Sequence, residues 1–371
     1  MRLAFIANGL SYGGAEKMLA FVATELYKKG HDVAIFNTCE HKGVSQTLPD
    51  DLKVYSSDVN ARNSKIGYLK RLWFCIKCAR DFKPDVVIGF LAFPNLYSVL
   101  TGKILHIPSV ISERADPYLA NANNSRFENL LLRIVCSASG AVFQTDGASM
   151  FYPEELRKRS AVIPNPITIT KEYTYKSYPE RENIIVSLGR LDNRQKRMDV
   201  MIDAFCQFHE QHPDWSLHIY GGGPDKQLIE DLILEKELGN YVILKGVSKN
   251  SFEDISKAKI FAISSDYEGI SNSLLEAMAV GMPVVSTDHS PGGARFLIKN
   301  GESGLLVPVG DAVRFAEALN RFANDEAFAM QCGKNASDVL VRFSPEVIIN
   351  KWENYIRTLL NDNIKWTRRK I

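Results

Sequence analysis

No stretch of this chain is apolar for the ~20 consecutive residues that a membrane-crossing helix requires. The start carries no secretory-leader pattern either. Met1-Arg2 is followed by five apolar residues before Asn8 and Gly9 interrupt them. Cysteine is sparse: Cys39, Cys75, Cys78, Cys136, Cys206 and Cys332 are scattered over 371 residues. That spacing argues against a disulfide framework and fits reduced thiols in a cytosolic setting. Cys75 and Cys78 make one C-x-x-C, but no second pair or histidine pair accompanies it, so two positions on a helix face is the simpler reading. Excess charge is also missing. The net charge of +2 gives no general affinity for nucleic acid or any other partner. Finally, no Asp-x-Asp occurs anywhere, so the chain lacks an obvious carboxylate pair for a divalent metal.

What is present is an ordinary globular composition, 45% apolar and 24% charged, in a chain long enough for about two or three domains. Strand-like and helix-like patterns alternate throughout, which predicts α/β architecture with parallel sheets. Residues 3–7 read as a strand, 8–14 as a Gly-rich loop, 15–29 as a helix closed by Gly30, and 33–36 as the next strand. Further strands are expected at 85–89, 109–112 and 141–144. The pattern then restarts, with a strand at 184–188, a loop at 189–196 and a helix at 199–211. Strands at 216–220, 242–245 and 260–264 follow. The Pro-rich, polar segment between the halves reads as a linker. The expected organisation is a first Rossmann-like domain over 1–167, a linker over 168–183 and a second Rossmann-like domain over 184–344. A helix over 345–360 packs back across the junction, and the tail from 361 to 371 frays. Two doubly wound domains facing a cleft is the architecture this implies.

The richest segment is Asp266-Tyr-Glu-Gly-Ile-Ser-Asn-Ser-Leu-Leu-Glu276. Glu268 falls in a loop and Glu276 in the first turn of a helix. Ser271, Asn272 and Ser273 are N-cap candidates, Leu274 begins the apolar run, and Gly281 then Pro283 end the helix. A carboxylate loop leading into an exposed helix N-terminus suits a phosphorylated sugar, because amides and dipole attract phosphate and carboxylates bind hydroxyls. The competing reading makes Ser273-Leu-Leu-Glu276 a capping box in which Glu276 satisfies a backbone amide.

Other loops sit at equivalent places. Asn8-Gly-Leu-Ser-Tyr-Gly-Gly-Ala-Glu16 follows the first strand, and Gly13 and Gly14 allow close approach of a ligand to a helix start. It is not G-x-G-x-x-G, so a dinucleotide site is not supported, and a tight structural turn is the alternative. Gly189-Arg-Leu-Asp-Asn-Arg-Gln-Lys196 brings Arg190 and Lys196 together, with Arg194 as a competitor; the alternative is a solvated basic loop. Tyr220-Gly-Gly-Gly-Pro224 and Leu244-Lys-Gly-Val-Ser248 follow later strands.

In this order, these motifs resemble the retaining glycosyltransferases of family 4, which have the GT-B fold. The resemblance runs from Gly13 to Pro308 and includes Gly-x-x-Gly-Leu-Leu-Val-Pro over 301–308. It implies that Arg190 and Lys196 bind the nucleotide diphosphate and stabilise the leaving charge. Cations fixed in that way supply the usual electrostatic part of such catalysis. It implies that Glu268 faces the transferred sugar as an electrostatic and positioning group and that Glu276 bonds the ribose hydroxyls. Ser271, Asn272, Ser273 and Leu274 would offer amides to the sugar or diphosphate. Gly13, Gly14, Gly221 and Gly223 would line the donor, while Val247 and Ser248 would read the base. Glu16 would border the acceptor. Many family members carry a His after the strand at 109–112; here the segment reads Ser112-Glu-Arg-Ala-Asp116, so Glu113 and Arg114 become candidates for sugar or acceptor contacts.

From Arg62 to Lys83 there are seven basic residues against one acid, Asp81. Tyr68, Leu69, Leu72, Trp73 and Ile76 form an apolar stripe at helical spacing among them. Phe127, Leu130, Leu131 and Ile134 with Arg126 and Arg133 form a second such pattern, and the tail 365–370 adds basic residues. A basic helix with an aromatic face suits an anionic membrane surface, and a core-packed helix with solvated lysines is the plainer alternative.

The expected function is retaining, metal-independent transfer of a hexose or N-acetylhexosamine from a UDP-sugar, a substrate and not a cofactor. The acceptor would be a polyprenyl-diphosphate-linked glycan in O-antigen, capsule or exopolysaccharide assembly at the cytoplasmic face of the cell membrane. The rivals are a nucleotide-sugar epimerase on a similar fold and a non-catalytic sugar-binding protein; no nucleic-acid partner is expected.

Overall fold

The computed structural model describes residues 1–10, 14–39, 48–57, 65–120, 125–169 and 177–368. The chain divides into two compact units, Met1–Asn165 with Glu346–Ile371, and Pro166–Pro345.

The first unit is built on seven parallel strands: β1 (Arg2–Ala7), β2 (Asp32–Asn37), β3 (Lys53–Ser56), β4 (Val86–Phe90), β5 (Ser109–Ser112), β6 (Gly140–Phe143) and β7 (Ser160–Val162). Their order is β3-β2-β1-β4-β5-β6-β7. Central strands of such a sheet are covered on both faces and must be apolar along their length. Accordingly Leu3 to Ala7 and all of β4 are buried. The helices of this unit include α1 (Gly14–Lys28), α2 (Lys65–Phe82), α3 (Ala92–Leu105) and α4 (Arg126–Val135). Helix α1 is followed by Gly30 at φ +84°, the left-handed turn for which glycine is suited. One apolar cluster joins Ala4, Phe36, Val87 and Tyr97 to Cys75, Cys78 and Phe82 of α2. Another joins Val99, Ile111 and Phe143 to Tyr152 and Leu156. The two thiols of the C-x-x-C are thus core residues.

The second unit repeats the plan with six strands: β8 (Glu182–Leu188), β9 (Ser216–Tyr220), β10 (Val242–Gly246), β11 (Ala258–Ile263), β12 (Val284–Thr287) and β13 (Leu305–Val307). The order is β10-β9-β8-β11-β12-β13, and every pair is parallel. Phe205 and Phe208 of helix α5 (Met198–His209) pack with Phe315, Phe322 and Trp215 in its core. Helix α6 (Asn272–Ala279) precedes β12. Strand order reverses between β1 and β4 in one sheet and between β8 and β11 in the other. Outside the carboxyl ends of the strands at such a reversal, doubly wound sheets leave a crevice for ligands.

Helix α7 (Pro345–Arg368) belongs, from Glu346 on, to the first unit. Trp352 is fully buried and stacks on Phe90 with ring centroids 5.7 Å apart. Tyr355 donates to the Arg159 carbonyl over 2.7 Å, and Glu353 pairs with Lys29 over 2.7 Å.

Three expectations need correction. Strands β3 and β7 were not anticipated; they are short, flank the sheet and lack the buried period that marks a strand, β3 being largely exposed. The expected loop at 189–196 ends in a helical turn, Asn193–Lys196. The tail expected to fray from 361 instead continues α7 as far as Arg368. Among the described residues, no helix is long and apolar enough to cross a membrane.

Candidate active site

At the carboxyl end of the second sheet, three loops are stacked on one another. The Gly189 amide donates to the Tyr220 carbonyl over 3.0 Å, that of Leu191 to Gly222 over 3.1 Å, and that of Gly221 to Gly246 over 2.8 Å. This approach is what glycine permits. A Cβ on Gly221 would stand 1.8 Å from the Gly189 carbonyl oxygen, and one on Gly223 would stand 2.2 Å from that of Leu191. The two glycines are therefore required by loop packing, which presents the segment carrying Arg190 at the end of β8.

A second stitching joins the loop after β8 to the loop after β11. The Asp266 amide donates to the Gln195 carbonyl over 2.9 Å, and Gln195 Nε2 donates to the Tyr267 carbonyl over 3.2 Å. Ser264 Oγ donates to the carbonyls of Lys196 and Arg197. Arg197, at φ +47°, forks both Asp266 oxygens at 3.1 Å and also pairs with Asp199. The result faces Lys196 toward Glu268, and the two form a buried ion pair. Ser265 Oγ donates to the same Glu268 oxygen over 2.8 Å. Burial pushes the Glu268 carboxyl up, but the Lys196 charge, His289 and the hydrogen bonds outweigh it and hold it below its usual range.

Helix α6 starts beside this pair. Ser271 is its N-cap and accepts from the Leu274 amide, while Ser273 Oγ donates to the Leu188 carbonyl over 2.8 Å and pins the helix start to the end of β8. The capping box read at Ser273 and Glu276 is thus not the one used, because the cap lies two residues earlier. Glu276 consequently falls in the second turn, half-buried, not in the first. Asn272 is half-buried at the first helical position, and Leu274 is core. Arg190 and Arg194 are exposed, as is Val247 at 74%. Ser248 Oγ donates to Asp254 over 2.7 Å. Arg190, Lys196, Glu268 and the start of α6 therefore converge at the β8–β11 reversal, while Val247 and Ser248 follow β10 on the far side of β9.

Sequence reasoning missed Gln195, Arg197, Ser264, Ser265 and His289. Nothing local in the sequence singles these residues out. His289 is fully buried next to the Glu268 loop, and burial holds its imidazole below the usual range.

In the first unit, Gly13 lies outside the described residues and Gly14 opens α1. Glu16 lines a crevice of about 240 Å³ with Asn8, Gly9, Phe90, Leu91 and Phe93, at the β1–β4 reversal. Glu113 and Arg114 do not reach it. The Glu113 carboxylate accepts from Tyr152 over 2.8 Å and from the amides of Arg114 and Ala115. Arg114 is buried over the rings of Phe90 and Trp352, 5.4 Å from each, and donates to Ser112 and the Ile163 carbonyl. Both thus have internal partners, with Glu113 half-buried and Arg114 buried.

The basic helix divides by face. Tyr68 and Leu72 pack on the core and Arg71 is buried. Ile66, Leu69 and Trp73 stay 64–68% exposed beside exposed Lys70, Lys77 and Arg80. Arg62 and the side chains of 365–370 lie outside the described residues. On α4, Phe127 and Leu130 are exposed and no side chain is buried.

Two family models match successive halves of the chain: Glycosyltransferase Family 4 over residues 12–171 and Glycosyl transferases group 1 over residues 172–339. The chain is 28% identical, over 97% of its length and 99% of the relative's, to a Campylobacter jejuni GalNAc-alpha-(1->4)-GalNAc-alpha-(1->3)-diNAcBac-PP-undecaprenol alpha-1,4-N-acetyl-D-galactosaminyltransferase. It is 24% identical to the lipopolysaccharide 1,6-galactosyltransferase of Escherichia coli, over 88% of this chain and 90% of that one. The fold matches Anabaena Alr3699/HepE, solved in complex with UDP, with a TM-score of 0.79 at 18% identity over 96% and 100% of the two chains. With both halves matched in order and the two-sheet architecture in place, this chain belongs to the family 4 glycosyltransferases of the GT-B fold.

Proposed function

We propose that this glycosyltransferase moves a hexose or N-acetylhexosamine from a UDP-sugar to a polyprenyl-diphosphate-linked glycan, with retention and without a divalent metal. The observation that carries the reading is the Lys196–Glu268 pair at the β8–β11 reversal, beside the start of α6. Departure of UDP from a sugar builds negative charge on the diphosphate and positive charge at the anomeric carbon. Lys196, Arg190 and the positive end of α6 answer the first. Glu268 answers the second, as a carboxylate kept ionised by Lys196. Glu276, half-buried on α6, is assigned to the ribose hydroxyls, and Val247 to the base.

The lipid-linked acceptor is carried over from the Campylobacter relative, whose name specifies an undecaprenol-linked glycan. The crevice beside Glu16 in the first unit is the acceptor side of this reading. The exposed Ile66, Leu69 and Trp73 with Lys70, Lys77 and Arg80 suit an anionic bilayer surface at the cytoplasmic face.

The test is UDP release from a panel of UDP-sugars, with and without a polyprenyl-diphosphate sugar and with EDTA present. Acceptor-dependent release for one donor is expected, with the product anomer matching the donor by NMR. Release only with added Mg²⁺, an inverted product, or donor conversion without acceptor would each overturn a named part of the proposal.

A further inference from the structure

His289 has no part in the reading above, yet its setting is specific. The imidazole is 0% exposed and lies two residues beyond the end of β12. Its Nδ1 lies 3.3 Å from the Ser290 carbonyl oxygen, so in the neutral ring Nδ1 carries the proton. The backbone amide of Glu268 donates to that same oxygen over 2.8 Å. One carbonyl, with two lone pairs, thus holds the catalytic loop and the imidazole together, and Tyr267 bridges Ser290 as an adjoining pair. The ring also occupies a tight gap: a Cβ on Gly293 would stand 1.7 Å from the Gly269 carbonyl oxygen and 3.2 Å from His289 Cε1. The far nitrogen, Nε2, is buried without a hydrogen-bond partner. A histidine kept in the core with one nitrogen unsatisfied costs free energy that an apolar residue of similar shape would avoid. The charged groups that act on it are Glu268, Lys196 and Asp288.

We infer that His289 is a positioning residue for Glu268, acting through the Ser290 carbonyl to hold the loop at the register where the carboxylate meets Lys196. This deepens the proposed function and rests on its assignment of Glu268 to the sugar. His289 touches no reacting atom in this scheme. Its loss displaces Glu268 and leaves the nucleotide contacts of Arg190, Glu276 and Val247 in place.

Variants separate this from a packing role. Asn carries its amide nitrogen where Nδ1 stands, Gln carries it nearer Nε2, and Phe keeps the ring without a donor. His289→Asn should retain kcat within about 3-fold, whereas His289→Phe and His289→Gln should lose about 10- to 100-fold, as for a misplaced catalytic group. KM for the UDP-sugar and UDP affinity should change by less than kcat does, since Arg190, Glu276 and Val247 are untouched and only Lys196 loses its partner. Wild-type kcat in His289→Phe, or a loss confined to KM and UDP affinity, would overturn the inference. If the Phe variant does not fold, the Asn and Gln variants decide: equal kcat in the two overturns it. Glu268→Ala is measured alongside. Wild-type turnover there would remove the proposed site itself; an inactive Glu268→Ala with a normal His289→Phe would remove only the role of His289.

Discussion

Lys196 and Glu268, 72 positions apart in sequence, form a buried ion pair at the carboxyl end of β8 and β11. On the proposed assignment of Lys196 to the diphosphate, a bound donor competes with Glu268 for the ammonium, which couples binding to activation of the carboxylate. Removing one partner leaves the other charge buried. Lys196→Met should therefore lower kcat/KM by about 10²–10³ and stability by about 3–5 kcal/mol. The double variant with Glu268→Gln should recover most of the stability and none of the rate. UDP release and urea unfolding check both; full stability in the single variant would mean that the pair does not hold the loops.

Arg190 is exposed and contributes to no core, so its loss should separate function from stability. Arg190→Ala is expected to change unfolding free energy by less than about 0.5 kcal/mol and to lower turnover by about 10²-fold. Lys at this position should recover only part, because it cannot fork two phosphate oxygens. Calorimetric titration with UDP and the release assay measure the two effects.

Gly221 tests the loop stacking. A methyl group there meets the Gly189 carbonyl at 1.8 Å, so Gly221→Ala should cost about 1–3 kcal/mol and weaken UDP binding as the loops part. Gly239→Ala, whose methyl meets nothing within 4 Å, is the control and should change stability by less than about 0.5 kcal/mol. Equal thermal shifts in the two would refute the packing argument.

Glu353 ties α7 to Lys29 and His31 and also accepts from Arg357 one turn along the same helix. The hydrogen bonds from Lys29 and then Arg357 hold its carboxyl down at about 2, from an ordinary value of 4.5. The folded state therefore binds its proton less readily than the unfolded chain. The stability this gives is complete above about pH 4.5 and fades as pH falls toward about 2. Glu353→Gln should lower the melting temperature near neutrality and flatten its dependence on pH across that acid window. An unchanged pH profile would mean that the pair contributes nothing to docking α7.

The exposed face of α2 predicts selective membrane binding. Leu69→Ser with Trp73→Ser should reduce flotation with anionic vesicles, and high salt should reduce it for the unaltered protein as well. Equal binding to neutral and anionic vesicles would exclude the electrostatic form of this contact.

Much of the architecture was legible because it is local. The apolar runs of β1, β4, β8 and β11 carry their own period, and Gly30 and Gly281 stop helices for backbone reasons that neighbours do not alter. The motif loops could be placed after strands for the same reason. What escaped was either too short to show a period, as with β3 and β7, or hung on which of three N-cap candidates is used: Ser271 begins α6, which moves Glu276 into its second turn.

The sequence by itself determined an alternating α/β chain with Arg190, Lys196 and Glu268 in the connections that follow strands. Only the tertiary structure decided that Lys196 meets Glu268, that Arg114 lies against the stacked rings of Phe90 and Trp352, and that Arg71 and His289 are inside. Periodicity reports which face of an element is apolar. It carries no information on which distant side chain lies opposite, and the burial and charge of a polar residue depend on that neighbour.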